Sequence, residues 1–186
     1  AVGGVEIELT ESEAAYLNAT NYIRPAKYRN VKAGTHILNG AQALGYSRIR
    51  KQAKGITPVT PNGKMDDYGR TWRQRNVINA IFNKAKGTSL PKLMDMAQTI
   101  LSKYVTTDLN SQDIIGYMKD VVMMGTMEIY QLQIPMDGYF TTQANYQAPG
   151  STTNLGSVIL PDMTTNTAAL KDFIFKYKGT PGQEYT

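Results

Sequence analysis

Between Arg48 and Arg75 the chain carries eight basic residues, Arg48, Arg50, Lys51, Lys54, Lys64, Arg70, Arg73 and Arg75, against two acidic ones, Asp66 and Asp67. The stretch holds a net +6 in a chain whose total is +5, so everything outside it is close to neutral. An arginine fork meets two phosphate oxygens at once, and the free amides at a helix start add partial positive charge. Arg48, Arg50, Arg70 and a helix beginning near Tyr68 therefore have the chemistry to grip a pyrophosphate. The competing reading is a solvated basic face with an ordinary helix cap. Asp67 can orient an arginine while capping that helix; crowded by arginines, it is poorly placed to act as a general base.

Composition removes other chemistries. The chain has no cysteine and one histidine, His36, which excludes thiolate metal sites, a cysteine nucleophile and multi-histidine metal centres. His36 reads as a loop residue. The glycines match neither a P-loop nor a dinucleotide fingerprint. With 41% hydrophobic and 19% charged residues in 186, the sequence describes one globular domain, residues 1–186, with a sizeable core. No apolar run approaches the ~20 residues that span a bilayer.

The elements that must position these residues are legible in order. Val5, Ile7 and Leu9 alternate with Glu6 and Glu8 as in a half-buried strand. Thr10 and Ser12 with Glu11 and Glu13 start a helix running to Ala19, and Arg24-Pro25 breaks the chain. Asn39 caps a short helix through Ala41, Leu44 and Tyr46. An extended Ser47–Arg50 would then put Arg48 and Arg50 on one face, with Ile49 in the core. Lys51–Met65 has two prolines, two glycines and no sustained periodicity, which predicts a flexible basic loop over about 51–66 with Asn62-Gly63 at its tip. Asp67 stands at the N-cap position of a helix from about Tyr68 to Lys86, stopped by Gly87. At roughly 100° per residue, with Arg70 at zero, Gln74, Val77, Ile78, Ile81, Phe82 and Ala85 fall between about −20° and +120°. This predicts a buried stripe headed by Arg70 and Gln74, with Trp72, Asn76, Asn79 and Asn83 on the other side. A polar pocket would lie at one end and an apolar wall behind it. Further on, helices are predicted from Leu90-Pro91 to Tyr104, after Asn110 with its capping partner Asp113, and over Thr164–Tyr177. Strands are predicted over Thr126–Ile134 and Gly156–Leu160. Helices interspersed with strands give an α/β fold, a mixed central sheet sandwiched by helices.

The motifs G-T-H-I-L-N-G-A-Q-A-L-G-Y-S-R-I-R (Gly34–Arg50) and D-Y-G-R-T-W-R-Q-R (Asp67–Arg75) resemble the LytR-CpsA-Psr family, also known as the cell-envelope-related transcriptional attenuator domain. Gly3–Ile7, Thr107–Asn110 and Leu132–Gly138 extend the resemblance. It implies an extracytoplasmic phosphotransferase at the bacterial cell membrane, anchored by an N-terminal helix absent from this chain. Such an enzyme moves a glycopolymer such as teichoic acid or capsule from a polyprenyl-pyrophosphate carrier to peptidoglycan. It also implies an αβα sandwich with a hydrophobic tunnel for the prenyl chain and Mg²⁺ at the pyrophosphate. Arg48 and Arg50 match the family's R-x-R motif, and Asp67, Arg70, Arg73 and Gln74 its D-x-x-R-x-x-R-Q motif, at the pyrophosphate head. On this reading Arg48, Arg50, Asp67 and Arg70 are catalytic; Arg73, Gln74, Val77, Ile78, Ile81 and Phe82 bind substrate.

The family's first half, which carries its acidic metal ligands, has no counterpart here, so no metal ligand is assigned in this chain. A strand at the terminus beside half a motif set predicts that residue 1 lies within a larger domain, of which this is the C-terminal part. The alternative function is a non-catalytic polyprenyl-phosphate-binding or regulatory module. Nucleic-acid binding explains the charge but not its placement, and no recognition helix or aromatic platform supports it.

Overall fold

A computed structural model describes residues 3–104, 106, 108, 110–123, 130–175 and 184–185. The chain folds into two compact units, Ala1–Met127 and Glu128–Thr186.

In the first unit, strand β1 (Val5–Leu9) buries alternate residues and pairs antiparallel with β2 (Gly34–Leu38), in a register from Val5 opposite Leu38 to Leu9 opposite Gly34. Helix α1 (Glu11–Ala19) opens at the predicted start with a capping box: the Glu13 amide donates to Thr10 Oγ1 and the Thr10 amide to Glu13 Oε2. Helix α2 (Gly40–Arg48) begins with a second box, between Asn39 and Gln42. Their apolar faces close a core of Val5, Ile7, Leu9, Leu17, Ile23, Leu38, Tyr46 and Ile49. Helix α3 (Asp66–Lys86) packs on α2 and β1 and stops at Gly87 as expected. Helices α4 (Leu90–Tyr104) and α5 (Ser111–Met123) pack on each other, α5 being capped by Asn110 through the Asp113 amide.

In the second unit, β3 (Gln131–Leu132) pairs parallel with β6 (Glu184–Tyr185), and β4 (Phe140–Gln143) antiparallel with β5 (Val158–Pro161). Helix α6 (Met163–Phe175) follows. Buried Asn166 accepts from the Met136 amide and donates to the carbonyls of Tyr139 and Asp162, fastening α6 to the turn before β4. The predicted strand over Thr126–Ile134 is found at Gln131–Leu132; its residues 126–129 lie outside the described residues, as do 176–177 of the last helix.

The α/β class holds. In place of one mixed central sheet, the strands among the described residues form three two-stranded sheets. His36 lies on strand β2 rather than in a loop, exposed, with Nε2 2.9 Å from the Ala33 carbonyl. None of the described helices is long and apolar enough to cross a membrane.

Candidate functional site

Helix α3 is turned about its axis relative to the prediction. The flank it buries is that of Gly69 and Arg73, with Trp72, Val77 and Ala80 packed against the core, while Ile78 and Ile81 are 55% and 44% exposed and Gln74 is exposed. The reason is a buried ion pair. Arg73 Nε donates to Glu13 Oε1 at 2.6 Å, with neither side chain exposed. The remaining guanidinium nitrogens donate to the carbonyls of Ile49 at 3.3 Å and Pro58 at 3.1 Å. A buried charge costs several kcal/mol unless paired and hydrogen-bonded, and here one guanidinium is met by a carboxylate and two carbonyls. Gly69 makes room for it: a Cβ there would stand 2.9 Å from Arg73 Nη1 and 3.0 Å from the Lys64 carbonyl.

Glu13 thus caps α1 with one oxygen and holds Arg73 with the other. Burial pushes its carboxyl above the usual value of 4.5, and the Thr10 amide and Arg73 only partly pull it back. The basic loop between α2 and α3 is tied down beside this pair. Thr10 Oγ1 donates to the Val59 carbonyl and the Val59 amide to Ser12 Oγ, while Pro58 and Thr60 are buried.

With Arg73 committed inside, it stands behind the surface and does not reach a ligand, contrary to the role the motif implied. Asp67 is displaced from its predicted post too. The N-cap is Met65, with no side-chain cap, and Asp67 lies in the first turn. Its Oδ1 sits 2.9 Å from Arg50 Nε and 2.7 Å from Arg70 Nη2, close charge pairs rather than aligned hydrogen bonds. Asp67 therefore gathers two arginines. Nor is the R-x-R segment extended throughout: α2 runs to Arg48, and Ile49, fully buried as expected, is its C-cap, from which Arg50 departs toward Asp67.

Arg48, Arg70 and Gln74 line an open cavity of about 590 Å³ together with Asn21, Tyr22, Arg24, Ala41 and Leu44. Neither Arg24 nor Arg48 has an acidic partner among the described residues. Arg70 Nε is buried without a hydrogen-bond acceptor among them. Three guanidiniums thus serve one cleft with donor capacity to spare, which suits an oxyanion. Arg24 was missed from sequence, where Arg24-Pro25 registers only as a break.

Beside this cleft lies an apolar groove of about 330 Å³ formed by the Gly3–Val5 segment, Leu38, Gly40, Ala43, Leu44, Ser47, Val77 and Ile81. Leu44 lines both, so the groove adjoins the cationic cleft. Val77 and Ile81 are among its lining residues. Ile78 and Phe82 are not among them. No group of three or more acidic or histidine side chains suited to a metal occurs among the described residues, and Asp67 is engaged by two guanidiniums. These residues do not form a divalent-cation site.

The first unit is thus an α/β module presenting a cationic cleft next to an apolar groove. The chain belongs to the LytR_cpsA_psr family, whose family model matches residues 1–158. It is 28% identical over 149 residues to the regulatory protein MsrR of Staphylococcus aureus, covering 78% of this chain and 39% of MsrR. It is 30% identical over 152 residues to the polyisoprenyl-teichoic acid–peptidoglycan teichoic acid transferase TagU of Enterococcus faecalis, covering 79% of this chain and 41% of that one. With TagU of Bacillus licheniformis the identity is 41% over 81 residues, 43% of this chain and 23% of the relative. The chain spans about 40% of the length of the first two relatives. Among solved structures, the Lin1025 protein of Listeria innocua aligns with a TM-score of 0.46 and 23% identity, over 92% of this chain and 58% of that one.

Proposed function

We propose that the protein containing this chain transfers a glycopolymer from a polyprenyl-pyrophosphate carrier to peptidoglycan, at the extracytoplasmic face of the cell membrane. The observation that carries this reading is the adjacency of the Arg24–Arg48–Arg70 cleft and the apolar groove through Leu44. A pyrophosphate on a prenyl chain is anionic at one end and wholly apolar beyond it. The relatives named as teichoic acid transferases support the same class of substrate.

In this reading Arg48 and Arg70 hold the pyrophosphate, Arg24 adds charge at the mouth, and Gln74 donates from the α3 edge. Arg50 and Arg70 are aimed by Asp67. A hydroxyl of the acceptor sugar attacks the phosphorus bearing the polymer; a new P–O bond forms, the bond to the prenyl phosphate breaks, and the hydroxyl proton is released. Charge grows on the transferred phosphoryl oxygens and on the departing prenyl phosphate, and fixed guanidiniums stabilise both. Arg73 is a positioning residue, since its bond to the Ile49 carbonyl fixes the backbone between Arg48 and Arg50.

Transfer of labelled polymer to peptidoglycan by the whole protein, wild type against Arg70→Ala, tests this. A loss of about 100-fold or more is expected from removing one such charge-stabilising donor. Unchanged transfer would remove Arg70 from the mechanism. MsrR is named a regulatory protein, which favours a second reading, a lipid-phosphate-binding module without turnover. That reading requires prenyl-pyrophosphate binding with no transfer at all.

A further inference from the structure

A second cavity, of about 500 Å³, opens beside the arginine cleft, and Asn21 and Tyr22 line both. Its charged lining is wholly basic: Arg29, Lys51 and Lys54, with no acidic partner for any of them among the described residues. Arg29 is anchored, its Nε donating to the Ile23 carbonyl at 2.9 Å. Lys54 is held by a tight turn, and Lys51 lies just ahead of it. Ala53 and Ile56 exchange both backbone hydrogen bonds, at 3.2 and 2.9 Å, around Lys54 and Gly55, whose φ values are +54° and +74°. Two left-handed residues in succession are the requirement of a type I′ turn, in which asparagine or glycine is the comfortable choice at the first position. A lysine there costs about 1 kcal/mol in backbone energy. Three cations, one of them in a strained conformation, converge on a cavity that the pyrophosphate reading does not use.

We propose that this cavity is a second anion subsite, taking the phosphodiester or carboxylate of a polymer repeat next to the pyrophosphate as the polymer passes across Asn21 and Tyr22. The inference rests on the pyrophosphate reading for the direction of the chain. It selects polymers with an anionic repeat near the linkage and gives neutral glycans no advantage.

The experiment is calorimetric binding of a short glycerol-phosphate oligomer, a neutral dextran oligomer and geranylgeranyl pyrophosphate to wild type, Lys51→Gln/Lys54→Asn and the control Lys84→Gln/Lys86→Gln. The oligomer is expected to bind and the dextran not. The Lys51/Lys54 double substitution is expected to weaken oligomer binding about tenfold while leaving geranylgeranyl pyrophosphate within about twofold and the melting temperature equal or higher. Equal oligomer affinity in wild type and the Lys51/Lys54 variant overturns the subsite, as does an equal loss in the Lys84/Lys86 control, which marks non-specific attraction. Failure of geranylgeranyl pyrophosphate to bind wild type overturns the pyrophosphate reading and, with it, the direction assigned to the polymer.

Discussion

Arg73 and Glu13 meet with Nε 2.6 Å from Oε1 and no exposure on either side chain, and the same guanidinium reaches the Ile49 carbonyl midway between Arg48 and Arg50. Four segments, α1, the end of α2, the loop at Pro58 and α3, converge on this one side chain. Removing one partner strands a buried charge, whereas removing both leaves a cavity that apolar atoms can fill. Arg73→Met is therefore expected to destabilise the fold by about 3–5 kcal/mol, and adding Glu13→Leu to recover a large part of that loss. Denaturant unfolding of the two single variants and the double variant checks this.

The pair also sets a pH dependence. Glu13's carboxyl is raised above 4.5 in the fold, with burial as the main cause. A raised acid binds its proton more tightly in the native state, so its favourable contribution is complete below the unfolded value and is lost as pH climbs through the folded one. The stability of wild type minus that of Glu13→Gln should fall with rising pH in the window just above 4.5. Equilibrium unfolding at a series of pH values measures it; a difference that rises there would mean that the ion pair outweighs burial.

Gly69 is required for space. A methyl group there meets Arg73 Nη1 at 2.9 Å and the backbone carbonyl of Lys64 at 3.0 Å, and that carbonyl is fixed by the Thr60 amide. Gly69→Ala is expected to cost about 1–3 kcal/mol despite the better helix propensity of alanine. A raised melting temperature would show that the guanidinium moves aside freely.

Asp67 gathers Arg50 and Arg70 at a half-exposed position, so its removal should disturb the site more than the fold. Exposed ion pairs contribute about 0–1 kcal/mol to stability. Asp67→Asn is expected to leave the melting temperature nearly unchanged while weakening geranylgeranyl pyrophosphate binding several-fold, since both arginines lose their common anchor. Thermal unfolding and calorimetry on the same variant separate the two effects.

What the sequence disclosed follows the range of the interactions involved. The β1 alternation, the helix start at Thr10, the Asn39 cap, the Gly87 stop and the Asn110 cap lie within a few residues of their partners, and each appears where its pattern points. The orientation of α3 was not available that way. A wheel drawn through the apolar residues leaves Arg73 off the buried stripe, but its partner lies 60 residues earlier in the chain and makes the buried position tolerable. Asp67 resembles an N-cap because it precedes Tyr68, while the helix starts two residues sooner, at Asp66, and the carboxylate turns to the arginines instead. Arg24 joins the cleft only because its loop folds back beside α2. Strand β4 passed unnoticed, since Phe140–Gln143 has one apolar residue in four and depends on pairing with β5.

If the cationic cleft and the apolar groove hold the two ends of one ligand, affinity for geranylgeranyl pyrophosphate depends on both at once. This compound is expected to bind wild type far more tightly than either inorganic pyrophosphate or geranylgeraniol. Arg70→Ala in the cleft and Ile81→Asp in the groove should each weaken it about tenfold or more. Binding that is equally strong for inorganic pyrophosphate, or indifferent to Ile81→Asp, would contradict one ligand held at both ends.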